Sequence, residues 1–542
     1  MYGSITLENR FGVNKMELIS LKYAIFVIVL LVLYYCFPKK YRWYVLLAGS
    51  MAYYVIICKW YVLFIIFTIC TTYGSTIWID KLLKKQNAVV KSHKEDWDRQ
   101  TRKEYKEKGR KKRVAVMLFA LLCNFGILAF LKYIPYAGEL GLLLPLGISF
   151  YTFQSMGYVM DVYREIVEPE KNFLRVALFV SFFPQIIQGP IAIYDKLANQ
   201  LYEGHSLRLE NLQKGALLVL WGVMKKLVIA DRAVNIINFV MDKPMDFSGT
   251  YVFFAAVVYA LQLYADFSGG IDIVRGIAEM FGITMSTNFN HPYFSRSLTE
   301  YWHRWHMTLG DWCRNYIFYP LSISKRFLNF GKWLKPRFGA HISKVLPGCI
   351  ASVITFIVIG VWHGANMKYL YFGLWNGIVI MLAELFAPVN KKVAGGFFKL
   401  TGLREKGIFA TIVSVLWTFM LILVGYYFDI AANASTAFHM LFKSVTDFHI
   451  SELGINNIIL NLGACGLDEY DILLLIICTL LWFFISFVEE NKKLDMRDFI
   501  LSRKLPLRWA IIYLGIFIVI IFGYYGPGVN PADFVYMHNK RS

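Results

Sequence analysis

Two histidines have the residue type and the surroundings to move a proton. His363 interrupts the most apolar part of the chain. Ile350 to Trp362 carries no formally charged residue, then comes Trp362-His363-Gly364-Ala365-Asn366, then another mostly apolar run. His306 closes the sequence Trp302-His303-Arg304-Trp305-His306. Ionisable groups at membrane depth are costly and rarely face lipid, so both read as residues facing a protein interior or a wet cavity. Two neutral imidazoles in a dry passage would take a proton from a hydroxyl, which is general-base work. The competing reading is structural: histidines hydrogen-bonded between helices, each bond worth on average about 0.6 kcal/mol in membranes.

The densest polar constellation lies upstream of His306. It runs through Tyr264–Gly270 and Asn288–Tyr293 and ends in Ser295–His306. Asp266, Arg275, Glu300, Arg304 and His306 are too many ionisable groups for a lipid-facing surface, so they must pair or line an aqueous funnel. Asp266 and Arg275 are candidates for an ion-pair brace. His303 and His306 have the i, i+3 spacing that can present two ligands to zinc, yet no nearby Cys or Asp completes a set, so no metal site is expected. Ser149, Ser181 and Ser268 offer hydroxyls, but the sequence sets no base beside them. There is no Gly-rich phosphate loop, nucleophile elbow or zinc-protease motif.

The elements that must position these residues are membrane helices. Of 542 residues, 57% are hydrophobic and 17% aromatic, and mean hydropathy is +0.47. A soluble domain cannot hide that much apolar surface. A spanning helix needs roughly 20 mostly apolar residues. Candidate runs are Leu18–Phe37, Trp43–Ile57, Trp60–Ile79, Val114–Leu131, Gly141–Val159, Leu174–Ile193, Tyr251–Ala265, Leu346–Trp362, Tyr369–Leu385, Phe409–Phe428, Ile472–Val488 and Trp509–Tyr525. With half-length and amphipathic pieces in the middle third, about eleven to thirteen spans are expected. Asn211–Asp242, with Lys214, Lys225, Lys226, Asp231 and Arg232 embedded, is expected to lie partly at the interface. His291–Ile323 reads as re-entrant or interfacial, and Phe438–Asp471 as mixed and amphipathic.

The formal net charge is +20. The strongly basic connection Asp80 to Arg113 is expected in the cytoplasm, with Lys39, Lys40 and Arg42 on the same side and the N-terminus outside. Attraction to anionic lipid explains the basic stretch without a nucleic-acid ligand. Leu18–Phe37 lacks a small-residue cleavage site and is expected to be a retained span. Cysteines in or beside the apolar runs carry no metal or disulfide spacing and read as small core residues.

An ordered series of motifs resembles the membrane-bound O-acyltransferase family, in particular its bacterial alginate O-acetyltransferase-like branch. The series is Leu144–Gln154, Val180–Gln185, Gly189-Pro190, Asp266–Gly269, Asn288–Tyr293, Trp302–His306, Trp362–Gly364 and Asp533–Tyr536. The resemblance implies an all-α polytopic membrane protein, a ring of helices with re-entrant segments and a central tunnel. It further implies one integral-membrane domain over 1–542, with N-terminal spans at 18–131 including the basic segment 80–113, a catalytic core at 144–390 and C-terminal spans at 408–542. The family's catalytic histidine falls on His363 and its second essential group on His306. Asp266, Asn288 and Asn290 match positions expected to shape the tunnel, and Arg304, Trp305, Trp362 and Asn366 complete the expected substrate-binding set.

No bound cofactor is implied. The donor would be acetyl-CoA or an acyl-carrier thioester on the cytoplasmic side of a bacterial plasma membrane. The acceptor would be an extracellular or cell-wall polysaccharide, reached through a separate extracytoplasmic acyltransferase. D-alanyl transfer to teichoic acid, transport of lipid-linked sugars and a scaffolding role are the alternatives. The chain departs from the family pattern at His303, Cys313, Asn315 and Phe428-Asp429-Ile430, departures that bear on partner and substrate.

Overall fold

The computed structural model describes residues 18–134, 142, 144–401, 404, 407–454, 457 and 465–525. The Asp533–Tyr536 motif and Gly141, the first residue of one candidate span, lie outside them. Among the described residues every regular element is helical, as expected where the bilayer offers the backbone no hydrogen-bond partner. Among the described residues seven helices are long and apolar enough to cross a membrane, or eight if the bent pair Met367–Leu385 and Ala387–Gly396 counts as one more. The protein is therefore a multi-pass membrane protein.

Beyond these, several apolar runs fold into short or broken helices. Two of the short helices hold 16 residues each, or roughly 24 Å, against a hydrocarbon core of about 30 Å. The run Leu174–Ile193 breaks at Phe182, after which Pro184 opens a new helix of 6 residues; proline supplies no N–H and suits a first turn.

The chain forms two compact units. The first holds the described residues up to Val219 with Gly270–Ser286. Its helices include α1 (Leu21–Cys36), α2 (Arg42–Cys58), α3 (Val62–Ser92), α4 (Arg99–Tyr133), α5 (Ile148–Tyr163), α6 (Phe173–Ser181) and α7 (Phe183–Gln188). The basic stretch 80–113 is a helical hairpin rather than an open loop, being the end of α3 and the start of α4. Asp98 caps α4 by accepting from Thr101 N–H at 2.9 Å, and Trp97 stacks on His93 with ring centroids 4.7 Å apart. Buried polar groups tie α5 to α6 and α7: Gln154 donates to the Phe179 carbonyl at 2.6 Å and accepts from Gln185.

The second unit holds Leu220–Gly269 and the described residues from Thr287 onward. A π-helical turn at Lys225–Ala230 precedes α8 (Asp231–Met241). There follow α9 (Gly249–Met280, of which 249–269 belong here), α10 (Leu298–Arg304), α11 (Met307–Cys313), α12 (Lys325–His363), α13 (Met367–Leu385), α14 (Ile408–Ile430), α15 (Glu469–Lys492) and α16 (Leu505–Phe522). Within the charged stretch, Lys225, Lys226, Asp231 and Arg232 are all nearly inaccessible. Ion pairing is what permits it, since Lys226 Nζ lies 2.8 Å from Asp231 and Arg232 Nε lies 2.8 Å from Asp471.

Helices α12 and α13 approach along a seam of small residues. A Cβ at Gly360 would sit 2.2 Å from the Tyr369 carbonyl oxygen, and one at Gly373 would sit 2.3 Å from that of Phe356. Close backbone approach of this kind is how membrane helices gain packing without a hydrophobic driving force. The turn between them, capped by Asn366 accepting from Lys368 N–H at 3.1 Å, leaves His363 at the end of α12.

Candidate functional site

His306 sits at the joint between α10 and α11, in the left-handed region with φ 45° and ψ 51°. A non-glycine residue there costs energy and persists only where its surroundings over-determine it, a condition concentrated at functional sites. Here two main-chain bonds clamp the joint against an extended segment: Asn290 N–H donates to the Arg304 carbonyl at 3.0 Å and Met307 N–H to the Asn288 carbonyl at 2.9 Å. The same clamp brings the Asn288 side chain to the imidazole.

Asn288 fixes the tautomer of His306. Its Oδ1 accepts from the Thr308 backbone N–H at 3.2 Å and from the Thr308 hydroxyl at 2.8 Å. A backbone N–H can only donate, so this side-chain atom is the amide oxygen. His306 Nδ1, 3.1 Å away, must then carry a hydrogen and donate. Nε2 is left as the basic nitrogen.

His306 and His363 line one cavity enclosing about 450 Å³ of empty space, part of it open to the outside. Trp362, not itself among the lining residues, has its ring centroid 6.1 Å from His306 and 4.9 Å from His363. His363 is half-buried and packs beside Tyr369, 6.0 Å away and nearly parallel. Much of the remaining wall is aromatic, from Trp302, Trp305, Phe372 and two tyrosines, beside aliphatic side chains, Asn376 and Asp429.

The tyrosines form a directed chain. Tyr293 donates to the Ala260 carbonyl at 2.6 Å, so it accepts from Tyr426 at 3.1 Å, which in turn accepts from Tyr301 at 2.8 Å. Tyr301 and Tyr426 both line the cavity.

Asp266 stands apart from this cavity and does different work. It pairs with Lys226 at 2.7 Å rather than with Arg275, whose near partner is Asp272 at 3.6 Å. Ser268, two residues on, accepts from Lys225 at 2.8 Å. Phe267, held between these two anchors, meets the His306 ring edge to face at 4.9 Å. The buried charges therefore position a wall of the site.

Asn290, Arg304 and Asn366 are also absent from the described cavity lining. Asn290 is exposed and serves through its main chain. Arg304 bridges Glu300 at 2.7 Å and Glu490 at 3.0 Å. Asn366 is the cap of α13 described above. Trp305 lines the cavity. His303 and His306 do not share a helix face, because α10 ends at Arg304: His303 is exposed near Arg314 while His306 is buried. No group of three or more metal-ligand residues occurs among the described residues.

Two lining residues carry polar chemistry that sequence reading did not single out. Asn376 accepts from the Trp302 indole at 2.9 Å and, as an amide inside the apolar run Tyr369–Leu385, was visible as an intramembrane polar group. Tyr426 had no such signal among so many aromatics.

Residues 169–335, which include His306, match the model of the MBOAT, membrane-bound O-acyltransferase family. The chain is 30% identical over 315 residues to a probable alginate O-acetylase of Pseudomonas syringae pv. tomato, covering 57% of this chain and 54% of that protein. It is also 30% identical over 314 residues to a peptidoglycan O-acetyltransferase of Helicobacter pylori, covering 51% of this chain and 56% of that protein. A teichoic acid D-alanyltransferase of Bacillus subtilis is 26% identical over 288 residues, 52% of this chain and 67% of that one. The matched region thus spans little more than half the length of the first two relatives.

Proposed function

We propose that this chain is a membrane-bound O-acyltransferase that moves an acyl group, acetyl from acetyl-CoA, to a hydroxyl destined for an extracellular or cell-wall polysaccharide. The observation that carries this reading is the meeting of His306 and His363 on one cavity, with the His306 tautomer fixed. In the proposed step, His363 removes the hydroxyl proton as the oxygen attacks the thioester carbonyl. The carbon–sulfur bond breaks, and the departing thiolate takes the proton back from the imidazolium. His306, held by Asn288, orients the reactants or relays the proton.

The reading extends to a bacterial plasma membrane, a donor arriving from the cytoplasm and a separate extracytoplasmic acyltransferase that passes the group to the polysaccharide. Similarity to relatives named for alginate and peptidoglycan acetylation supports the acceptor class. The D-alanyltransferase relative supports a second reading, in which the donor is an aminoacyl carrier thioester.

Purified protein supplied with labelled acetyl-CoA, or with a D-alanyl carrier thioester, separates the two. His363→Ala should lower transfer by about three orders of magnitude or more, since loss of an essential base removes several kcal/mol of barrier reduction. Wild-type rates in a normally inserted His363→Ala protein would end the proposal.

A further inference from the structure

Glu490, in the last turn of α15, touches both sides of the clamp that holds His306. Its Oε1 accepts from Arg304 Nη2 at 3.0 Å, and its Oε2 lies 3.4 Å from His291 Nδ1. Arg304 and His291 belong one to each side, next to the bond from Asn290 N–H to the Arg304 carbonyl. The preceding residue, Glu489, accepts from His291 Nε2 at 3.1 Å and is itself held by the Met496 N–H at 3.2 Å. Glu300 adds a contact to Arg304 at 2.7 Å, and Lys493 approaches Glu490 at 3.5 Å from the exposed side. His291, like His306, lies in the left-handed region, with φ 44° and ψ 57°, a conformation that persists where neighbours over-determine it. The four side chains of the clip, Arg304, His291, Glu489 and Glu490, are only 17–27% exposed. Charge-assisted contacts so sheltered are screened less than surface pairs.

We infer that Glu490 is a positioning residue for His306, acting from α15 through the two sides of the clamp. Arg304 stands two residues before His306, and His291 three after Asn288. Holding both fixes the approach of the Asn288 amide oxygen to the imidazole, and with it the tautomer. The kinetic consequence rests on the acyl-transfer reading above; the effect on the imidazole does not.

The test has two readouts on the full-length protein. Ring-nitrogen NMR of histidine-labelled protein in lipid nanodiscs, with the His306 signals assigned from His306→Gln, reports the tautomer without donor or acceptor. Native-host membranes carrying each variant, which supply acceptor and partner, give kcat and KM for labelled acetyl-CoA. Glu490→Gln should turn the single Nδ1–H tautomer of His306 into a mixture. It should lower kcat about fivefold, a typical coupling between residues of one network, and leave KM for acetyl-CoA unchanged. In an Asn288→Leu background, where the contact through which the clip acts is already gone, the further loss should be less than about twofold. A general loss of packing would instead lower kcat equally in both backgrounds. His291→Gln, which releases one side only, should move both readouts the same way by less, and serves if Glu490→Gln does not insert. An unchanged His306 tautomer, or an equal loss of kcat with and without Asn288, overturns the inference. A tautomer that responds while wild-type membranes transfer no labelled acetyl group would count against acyl transfer and leave the positioning role standing.

Discussion

The second unit buries polar side chains in two places, and it treats them in opposite ways. Around Lys226 the groups are formal charges held in direct contact, with Asp231 at 2.8 Å and Asp266 at 2.7 Å. Around His306 and His363 they are mainly imidazoles, amides and phenols, several joined by hydrogen bonds, with one carboxylate, Asp429, among the residues lining the cavity. A buried charge must be matched at once, so it suits a brace. A neutral donor–acceptor group tolerates burial and can still change protonation, so it suits chemistry. The two places meet at Phe267, anchored by the first and packed on the imidazole of the second.

The largest effect should come from breaking the brace. Lys226→Met leaves two buried carboxylates without their shared ammonium and should destabilise the protein by about 3–5 kcal/mol. Thermal unfolding in detergent measures it. Replacing Lys226, Asp231 and Asp266 together with apolar residues of similar size should recover most of that stability, because the desolvation of all three charges is no longer required. If the single and triple variants melt alike, the cluster is not an electrostatic brace and the contrast with the cavity fails.

A smaller effect, confined to turnover, is expected at Asn288. Asn288→Leu removes the oxygen that fixes the His306 tautomer and should cost about 10–100-fold in kcat, the usual scale for a group that orients a functional imidazole. Asn288→Asp keeps an acceptor for Nδ1–H and for Thr308 and should lose less. An Asn288→Leu protein with unchanged kcat would make His306 a packing residue and move the cavity toward the brace in kind.

How much of this was legible beforehand follows the same division. His363 and His306 stood out because a titratable ring amid apolar residues is costly and therefore conspicuous. The polytopic helical class followed from the apolar runs. The partner of Asp266 was not legible, since Lys226 lies 40 residues away and is aimed by a π-helical turn that no periodicity announces. Burial of Lys225, Lys226, Asp231 and Arg232 was not legible for the same reason: composition counts charges but does not reveal their pairing. Apolar length also does not show where a Phe182–Pro184 break or a 16-residue helix stops short. The roles of Asn290, Arg304 and Asn366 turn on main-chain clamps, ion pairs and caps, which depend on the folded path.

Tyr426 gives the finest test of the contrast. Its hydroxyl accepts from Tyr301 and donates to Tyr293, and the chain ends on the Ala260 carbonyl. Ending on a carbonyl, which has no proton to pass on, makes the chain a scaffold that fixes the Tyr301 hydroxyl at the cavity wall. Tyr426→Phe removes one donor and one acceptor while keeping the ring that packs on Trp305 at 6.3 Å. With membrane hydrogen bonds averaging about 0.6 kcal/mol, the expected loss in kcat is only about threefold. A hundredfold loss with unchanged thermal stability would mean that the phenols carry the proton, making the reacting set larger than two imidazoles.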